Sequence, residues 1–266
     1  MNEAPRLLVA VAHPDDESFG CGSILARAAE LGVESTVVCA TRGEAGDCDP
    51  STGVDPSDLA AVRERELRTA AGILGVDRVI VLDHRDSDMS GEPAPGALVA
   101  VDQDDLAAEL QGIIDDVRPD VVVTLDAGDG HRDHAAIRDA TLTAVRTAAH
   151  RPSRTYLSCL LRSAMDRWVD HLREVDRWGD YTALAELGTP DEEITTVIDV
   201  RHLLDVRRAA IHAHASQVSP FEALPTELAD LFLTRDHLVR VEPPWTGGPV
   251  ETDIVATTTR ATKSAE

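Results

Sequence analysis

Three acids follow a histidine and proline in 12-AHPDDE-17: His13, then Asp15, Asp16 and Glu17. Unseparated carboxylates repel one another, and in a chain of formal charge −23 such a run calls for a cation to hold it. His13 and Asp16 lie three apart, a spacing that lets both side chains point at one centre while Asp15 points elsewhere. A second cluster, 130-GHRDH-134, supplies His131, Asp133 and His134. An imidazole and a carboxylate from the first cluster, with a second imidazole from the other, make a two-histidine, one-carboxylate set. Zinc suits those ligands and leaves a position for water or substrate, and ferrous iron accepts them as well. The bland alternatives are an aspartate capping a helix and a histidine satisfied in a core. Each covers one cluster alone; two such clusters at two strand ends favour a site.

The elements that would position these groups are legible in the apolar pattern. Runs at 7–12, 35–40, 78–82 and 120–125 are dominated by Val, Leu, Ile and Ala, and helical stretches follow near 21–31, 58–74, 102–117 and 134–149. Alternating strand and helix predict an α/β, Rossmann-like, doubly wound and mostly parallel sheet with helices on both faces. Ligands of such sheets sit outside the carboxyl ends of the strands. HPDDE follows the first run, TRGEAG with Arg42 and Glu44 the second, HRDSDM with Arg85 and Asp86 the third, and GDGHRDH the fourth. In this topology all four converge on one crevice, which argues for an active site more strongly than any single motif.

After residue 150 the pattern loosens, with strands expected at 154–160, 195–200 and 237–241 and helices near 161–177 and 203–215. The expectation is one domain over 1–242, a core of 1–150 with a smaller C-terminal α/β cap or extension over 151–242. The Thr-, Gly- and Pro-rich residues 243–266 read as an extended or frayed tail.

Composition narrows the partners. Aromatic residues make up only 3%, so the core is aliphatic; 48 acids face 25 bases, and Lys263 is the sole lysine. A nucleic acid or anionic membrane needs a basic stripe that this chain lacks, so neither is expected as a partner. Self-association stays open. Cys21, Cys39, Cys48 and Cys159 show no paired spacing, as for reduced thiols. No run approaches the ~18 apolar residues of a membrane span and no targeting segment is recognisable, so a soluble, cytoplasmic protein is expected.

The motifs AHPDDE (12–17), TRGEAG (41–46), RERELRTAAGILGV (63–76), RDSDM (85–89), GHRDH (130–134) and HASQV (214–218) occur in this order over nearly the whole chain. In them the sequence resembles the LmbE-like (PIG-L) zinc-dependent N-deacetylases, which include N-acetylglucosaminyl-phosphatidylinositol de-N-acetylase and the mycothiol-pathway deacetylase. The resemblance implies hydrolysis of the acetamide, or a related acyl amide, of an N-acetylglucosamine-type conjugate. It implies His13, Asp16 and His134 as metal ligands, Asp15 as general base, and His131 as a second catalytic group oriented by Asp133. Glu44, Arg63 and Asp86 become substrate contacts, with Arg42 beside them in the second loop. For Arg63 the ordinary alternative is surface pairing with Glu64 or Glu66 on its own helix.

The same site would serve a thiol-conjugate amidase or a secondary-metabolite tailoring deacylase. A nucleotide- or metal-binding Rossmann-like protein is disfavoured, since the first turn has acids where a GxGxxG loop would cradle phosphate. Asp129 stands where some members of the family carry an aromatic residue, and Asp83 and His84 also depart from the common pattern; all three read as substrate-side changes. The acidic loop 47–58 lacks the ligand spacing of a calcium loop and is expected to end in a helix cap at Ser57 or Asp58. His214 matches a family motif without an evident role. Met165, Trp168, Trp178 and Tyr181 are candidates for pocket lining or core.

Overall fold

The structure, a computed structural model, describes residues 4–175, 186–221 and 224–254. Strands β1 (Arg6–Val11), β2 (Glu34–Cys39), β3 (Arg78–Val81) and β4 (Val121–Leu125) form at the four apolar runs. They pair in parallel, Leu8 lying opposite Thr36 on one side and Val122 on the other. Both sheet faces are covered, so alternate residues of one apolar strand enter different cores. Leu7, Val9 and Val11 pack with α2 (Gly22–Glu30) and α3 (Leu59–Leu74) through Ile24, Leu25, Leu67 and Leu74. Leu8 and Ala10 pack on the other face with α4 (Gln103–Val117) and α5 (Arg132–Thr147), through Leu106, Leu110, Ile114 and Ile137.

The start of α3 differs from expectation. Asp55 accepts the Ser57 N–H at 2.9 Å and caps a short 3₁₀ turn, Pro56–Asp58, while Asp58 makes no capping bond. Pro56 fixes the first backbone angle of that turn and moves the cap upstream.

The extension expected after residue 150 is built onto the sheet itself. β5 (Arg154–Cys159) pairs parallel to β4, β7 (Arg235–Glu242) antiparallel to β5, and β6 (Thr196–Asp199) antiparallel to β7. The order is β3-β2-β1-β4-β5-β7-β6. Beside this half, α6 (Arg162–Glu174), α7 (Leu204–Ala213) and α8 (Thr226–Leu233) meet in a third cluster around Met165, Val169, Ile211, Leu228 and Phe232. The sequence reading missed α8, whose eight residues between Pro225 and Thr234 give too few turns for a clear period. Trp178 and Tyr181 lie outside the described residues.

Nor is the first part of the tail loose. The Val197 N–H donates to the Glu251 carbonyl at 2.8 Å, the Glu251 N–H donates to that of Thr195 at 2.9 Å, and Ile254 is buried. Among the described residues all four cysteines are free, and no helix is long and apolar enough to cross a membrane.

From β1 the chain moves outward through β2 and β3, and from β4 outward the other way. The β1/β4 junction is therefore the switch point, where an open α/β sheet has its natural crevice.

Candidate active site

The turn leaving β1 is shaped by its acids. The Ala12 and His13 N–H groups donate to Asp16 Oδ2 at 3.2 and 2.8 Å, wrapping the chain around that carboxylate. Asp15 then adopts φ +122°, a conformation that side chains bearing a Cβ rarely take, before the four-residue helix α1 (Asp16–Phe19) begins. Its N–H donates to Glu17 Oε2 at 2.9 Å. Glu17 is fully buried, and its Oε1 accepts from Ser18 Oγ at 2.5 Å and His214 Nε2 at 2.7 Å.

The α5 end of β4 brings the second cluster over this turn. His134 Nε2 lies 3.2 Å from Asp16 Oδ1, and His13 Nδ1 lies 3.5 Å from Asp16 Oδ2. The outer nitrogens are each held by a carboxylate: His134 Nδ1–H donates to Asp129 at 2.7 Å, and His13 Nε2–H to Asp133 at 3.1 Å. Such outer partners fix the ring and its tautomer, leaving the inner nitrogens to converge. Burial works against charge on both rings. For His13 the carboxylates of Asp133, Asp16 and Asp86 outweigh it and raise the pKa to about 10, and for His134 those of Asp16 and Asp129 raise it well above the usual value. Surroundings that favour two extra protons also favour a divalent cation in their place.

Other donor groupings exist at this centre. Ligand atoms of His13, His131 and His134 lie within 4.8 Å of one another, as do those of His13, Asp86 and Asp133. In the second grouping His13 Nε2 is already engaged with Asp133. The inner nitrogens around Asp16 are freer, and His134 Nε2 is buried without a hydrogen-bond partner. The donor set thus fits a zinc-type ion.

Two orienting roles differ from those expected. Asp133 is the second residue of α5; its N–H donates to His131 Nδ1 at 3.2 Å, His131 being the N-cap. The Asp133 carboxylate therefore turns away from His131, toward His13 and the Ser87 N–H at 2.9 Å. With Nδ1 accepting, the His131 proton resides on Nε2. Burial, together with His13 and His134, lowers its pKa to about 4, so this ring is a neutral donor rather than an imidazolium. Asp129, read from sequence as a substrate-side departure, is the outer carboxylate of His134 and also accepts the His131 N–H at 3.1 Å.

Arg63 is almost completely buried and supports the base. Its Nη2 donates to Asp15 Oδ2 at 2.9 Å and to the Pro14 carbonyl at 3.3 Å, while Nη1 donates to the Gly43 carbonyl. A Cβ at Gly43 would lie 2.6 Å from the guanidinium, and Gly43 has φ +65°, so glycine is required there. Burial raises the Asp15 pKa to about 6, against the opposing pull of Arg63.

Asp86 faces the site, with Oδ1 3.6 Å from His13 Nε2. Glu44 Oε1 accepts the Asp86 N–H at 3.4 Å, and its Oε2 is buried without a partner. Arg42 is turned away, donating to Glu64 at 2.9 Å and Asp83 at 3.0 Å, and does not line the cavity. His84 likewise pairs with Glu109 at 2.8 Å, so neither Asp83 nor His84 reaches the substrate side.

His13, Asp15, Asp16, Asp86, His131 and His134 form the floor of a cavity of about 780 Å³. Met165, Trp168, Leu172, Phe221, Leu231 and Phe232 line an apolar wall of the same cavity; Met165 and Phe232 are core residues as well.

An open α/β sheet with its switch point at this donor cluster places a candidate metal site in the crevice where such sheets bind their ligands. The chain belongs to the PIG-L family, described as GlcNAc-PI de-N-acetylase, which it matches over residues 8–145. It is 38% identical over 247 residues to the 1D-myo-inositol 2-acetamido-2-deoxy-alpha-D-glucopyranoside deacetylase of Acidothermus cellulolyticus, covering 84% of each chain. Its fold is similar to that of N,N'-diacetylchitobiose deacetylase from Pyrococcus horikoshii (TM-score 0.58, 20% identity, covering 90% of this chain and 84% of that one). It is equally similar to the 4-carboxy-2-hydroxymuconate hydratase from Pseudomonas putida (TM-score 0.59, 19% identity, covering 92% and 99%). The architecture alone therefore does not select the reaction.

Proposed function

We propose that the protein is a metal-dependent N-deacetylase that hydrolyses the acetamide of an N-acetylglucosamine-type conjugate, with His13, Asp16 and His134 holding zinc. The observation that carries this reading is the convergence of both inner imidazole nitrogens on Asp16, with Asp15 beside them and braced by Arg63. A bound zinc ion polarises the amide carbonyl and lowers the pKa of water to about 7. Asp15 is the group that accepts the proton of the attacking water, and a carboxyl near 6 is mostly ionised at neutral pH while remaining basic enough to do so. His131 donates its Nε2–H to the oxygen on which charge develops. The proton taken by Asp15 then goes to the leaving nitrogen. Asp86, on the cavity floor, offers an acceptor to a sugar hydroxyl, with Glu44 behind it accepting the Asp86 N–H, while Arg63, at the edge of the cavity, braces Asp15.

The similarity to the A. cellulolyticus enzyme supports a glucosaminyl-inositol conjugate as the substrate. The apolar wall of Trp168, Phe221 and Phe232 favours a second reading, a tailoring deacylase whose substrate bears an apolar group. An acetate-release screen with inositol, alkyl and aryl glycosides of N-acetylglucosamine separates them. Under the leading reading Asp15→Asn keeps its metal while kcat falls about 10²-fold or more; wild-type turnover in that variant would remove Asp15 from its role.

A further inference from the structure

We infer that Glu17 and His214 are positioning residues for the general base, holding the Asp15 main chain, and through it the carboxylate, in its working geometry; this rests on the deacetylase reading above. At φ +122° Asp15 occupies a strained region that persists only where its surroundings over-determine it. The Asp15 N–H is fixed by Glu17 Oε2 at 2.9 Å. Glu17 in turn is fixed by His214 Nε2, 2.7 Å from Oε1, and both side chains are wholly excluded from solvent. Neither lines the cavity, so neither touches substrate. The Phe19 ring meets the His214 ring edge-on at 6.2 Å and limits its rotation.

A buried ionisable pair is not a stabilising device in general, because an apolar pair of similar volume is often as stable. An apolar side chain at position 17 could not accept the Asp15 N–H.

The two grips on Asp15 are also tied to each other. Arg63 holds the carboxylate from α3, and one turn further along α3 Glu66 accepts the Ser216 N–H at 2.8 Å and Oγ–H at 2.6 Å. Ser216 lies two residues after His214, so main chain and carboxylate of Asp15 are located by α3 and the segment that follows α7.

The test uses the full chain loaded with zinc. His214→Ala is expected to lower kcat about 10- to 100-fold, with KM and zinc content unchanged, as for loss of a group acting through a neighbour. His214→Gln, which restores an N–H donor toward Glu17, is expected to recover part of that loss. Ile114→Ala, a core change on the opposite face of the sheet, is expected to lower Tm and leave kcat alone. If His214→Ala does not fold, His214→Gln and Glu17→Gln carry the comparison. Crystal structures of the folded variants supply a readout free of turnover: Asp15 should relax from its positive φ in His214→Ala. A wild-type kcat in His214→Ala, a loss matched by Ile114→Ala, or an unmoved Asp15 would each overturn the assignment. Should the wild-type protein release no acetate from any conjugate, the proposed function falls, and the position of Asp15 in the variant crystals still decides this inference.

Discussion

Two surfaces face each other across the cavity, and they are made of opposite materials. The floor at the ends of β1 and β4 is a lattice of carboxylates and imidazoles in which Asp16, Asp129 and Asp133 each engage two partners or more. The wall from α6 and α8 is built of Met165, Trp168 and Phe232, whose neighbours are other apolar side chains. Polar groups buried together are costly unless each is paired, so the floor sets positions to within a hydrogen bond. The wall sets only shape. Damage to the floor should therefore appear as lost metal or lost rate, and damage to the wall as lost stability.

The largest break is expected from His13→Ala, which removes an inner nitrogen and the partner of Asp133. Metal should be lost by elemental analysis and turnover should fall by several orders of magnitude; full metal occupancy would show that His13 is not a ligand. Asp129→Ala leaves all three proposed ligands in place but frees the outer nitrogen of His134, and is expected to weaken metal binding about 10- to 100-fold in chelator competition. A change confined to KM would return Asp129 to the substrate side. On the wall side, Leu228→Ala empties part of the third cluster and should cost about 2–5 kcal/mol in denaturant unfolding while kcat stays within about twofold of wild type. A large drop in kcat there would blur the division between floor and wall.

Strand and helix placement in the first 150 residues was readable because four strands buried on both faces leave apolar runs, and right-handed crossovers through helices narrow the topology to a few choices. The positions of His13, Asp16 and His134 were readable for a related reason: groups at strand ends inherit their convergence from the sheet. What the sequence did not disclose depends on where a side chain points. Asp129 read as a substrate-side change, whereas the loop folds its carboxylate back onto His134. The family resemblance paired Asp133 with His131, whereas its place in the first turn of α5 sends the carboxylate to His13 and only the amide to His131. Arg63 read from sequence as a substrate contact somewhat ahead of surface pairing; its burial against Asp15 and Gly43 sets surface pairing aside and ties the guanidinium to Asp15 at the edge of the cavity. Glu17 and His214 are 197 residues apart, a separation over which no spacing rule operates.

The short return of the chain at Glu251 has a consequence for how molecules meet one another. β6 is the last strand of the sheet, and such a strand offers open main-chain groups to any neighbour able to pair with them. Glu251 engages β6 there through its own main chain, while its carboxylate accepts from Tyr156 Oη at 3.1 Å, Thr196 Oγ1 at 3.0 Å and Arg240 Nη1 at 2.8 Å. A chain shortened to end before this residue would keep its hydrolytic centre and lose that seal, turning a finished border into a template for filament-like stacking.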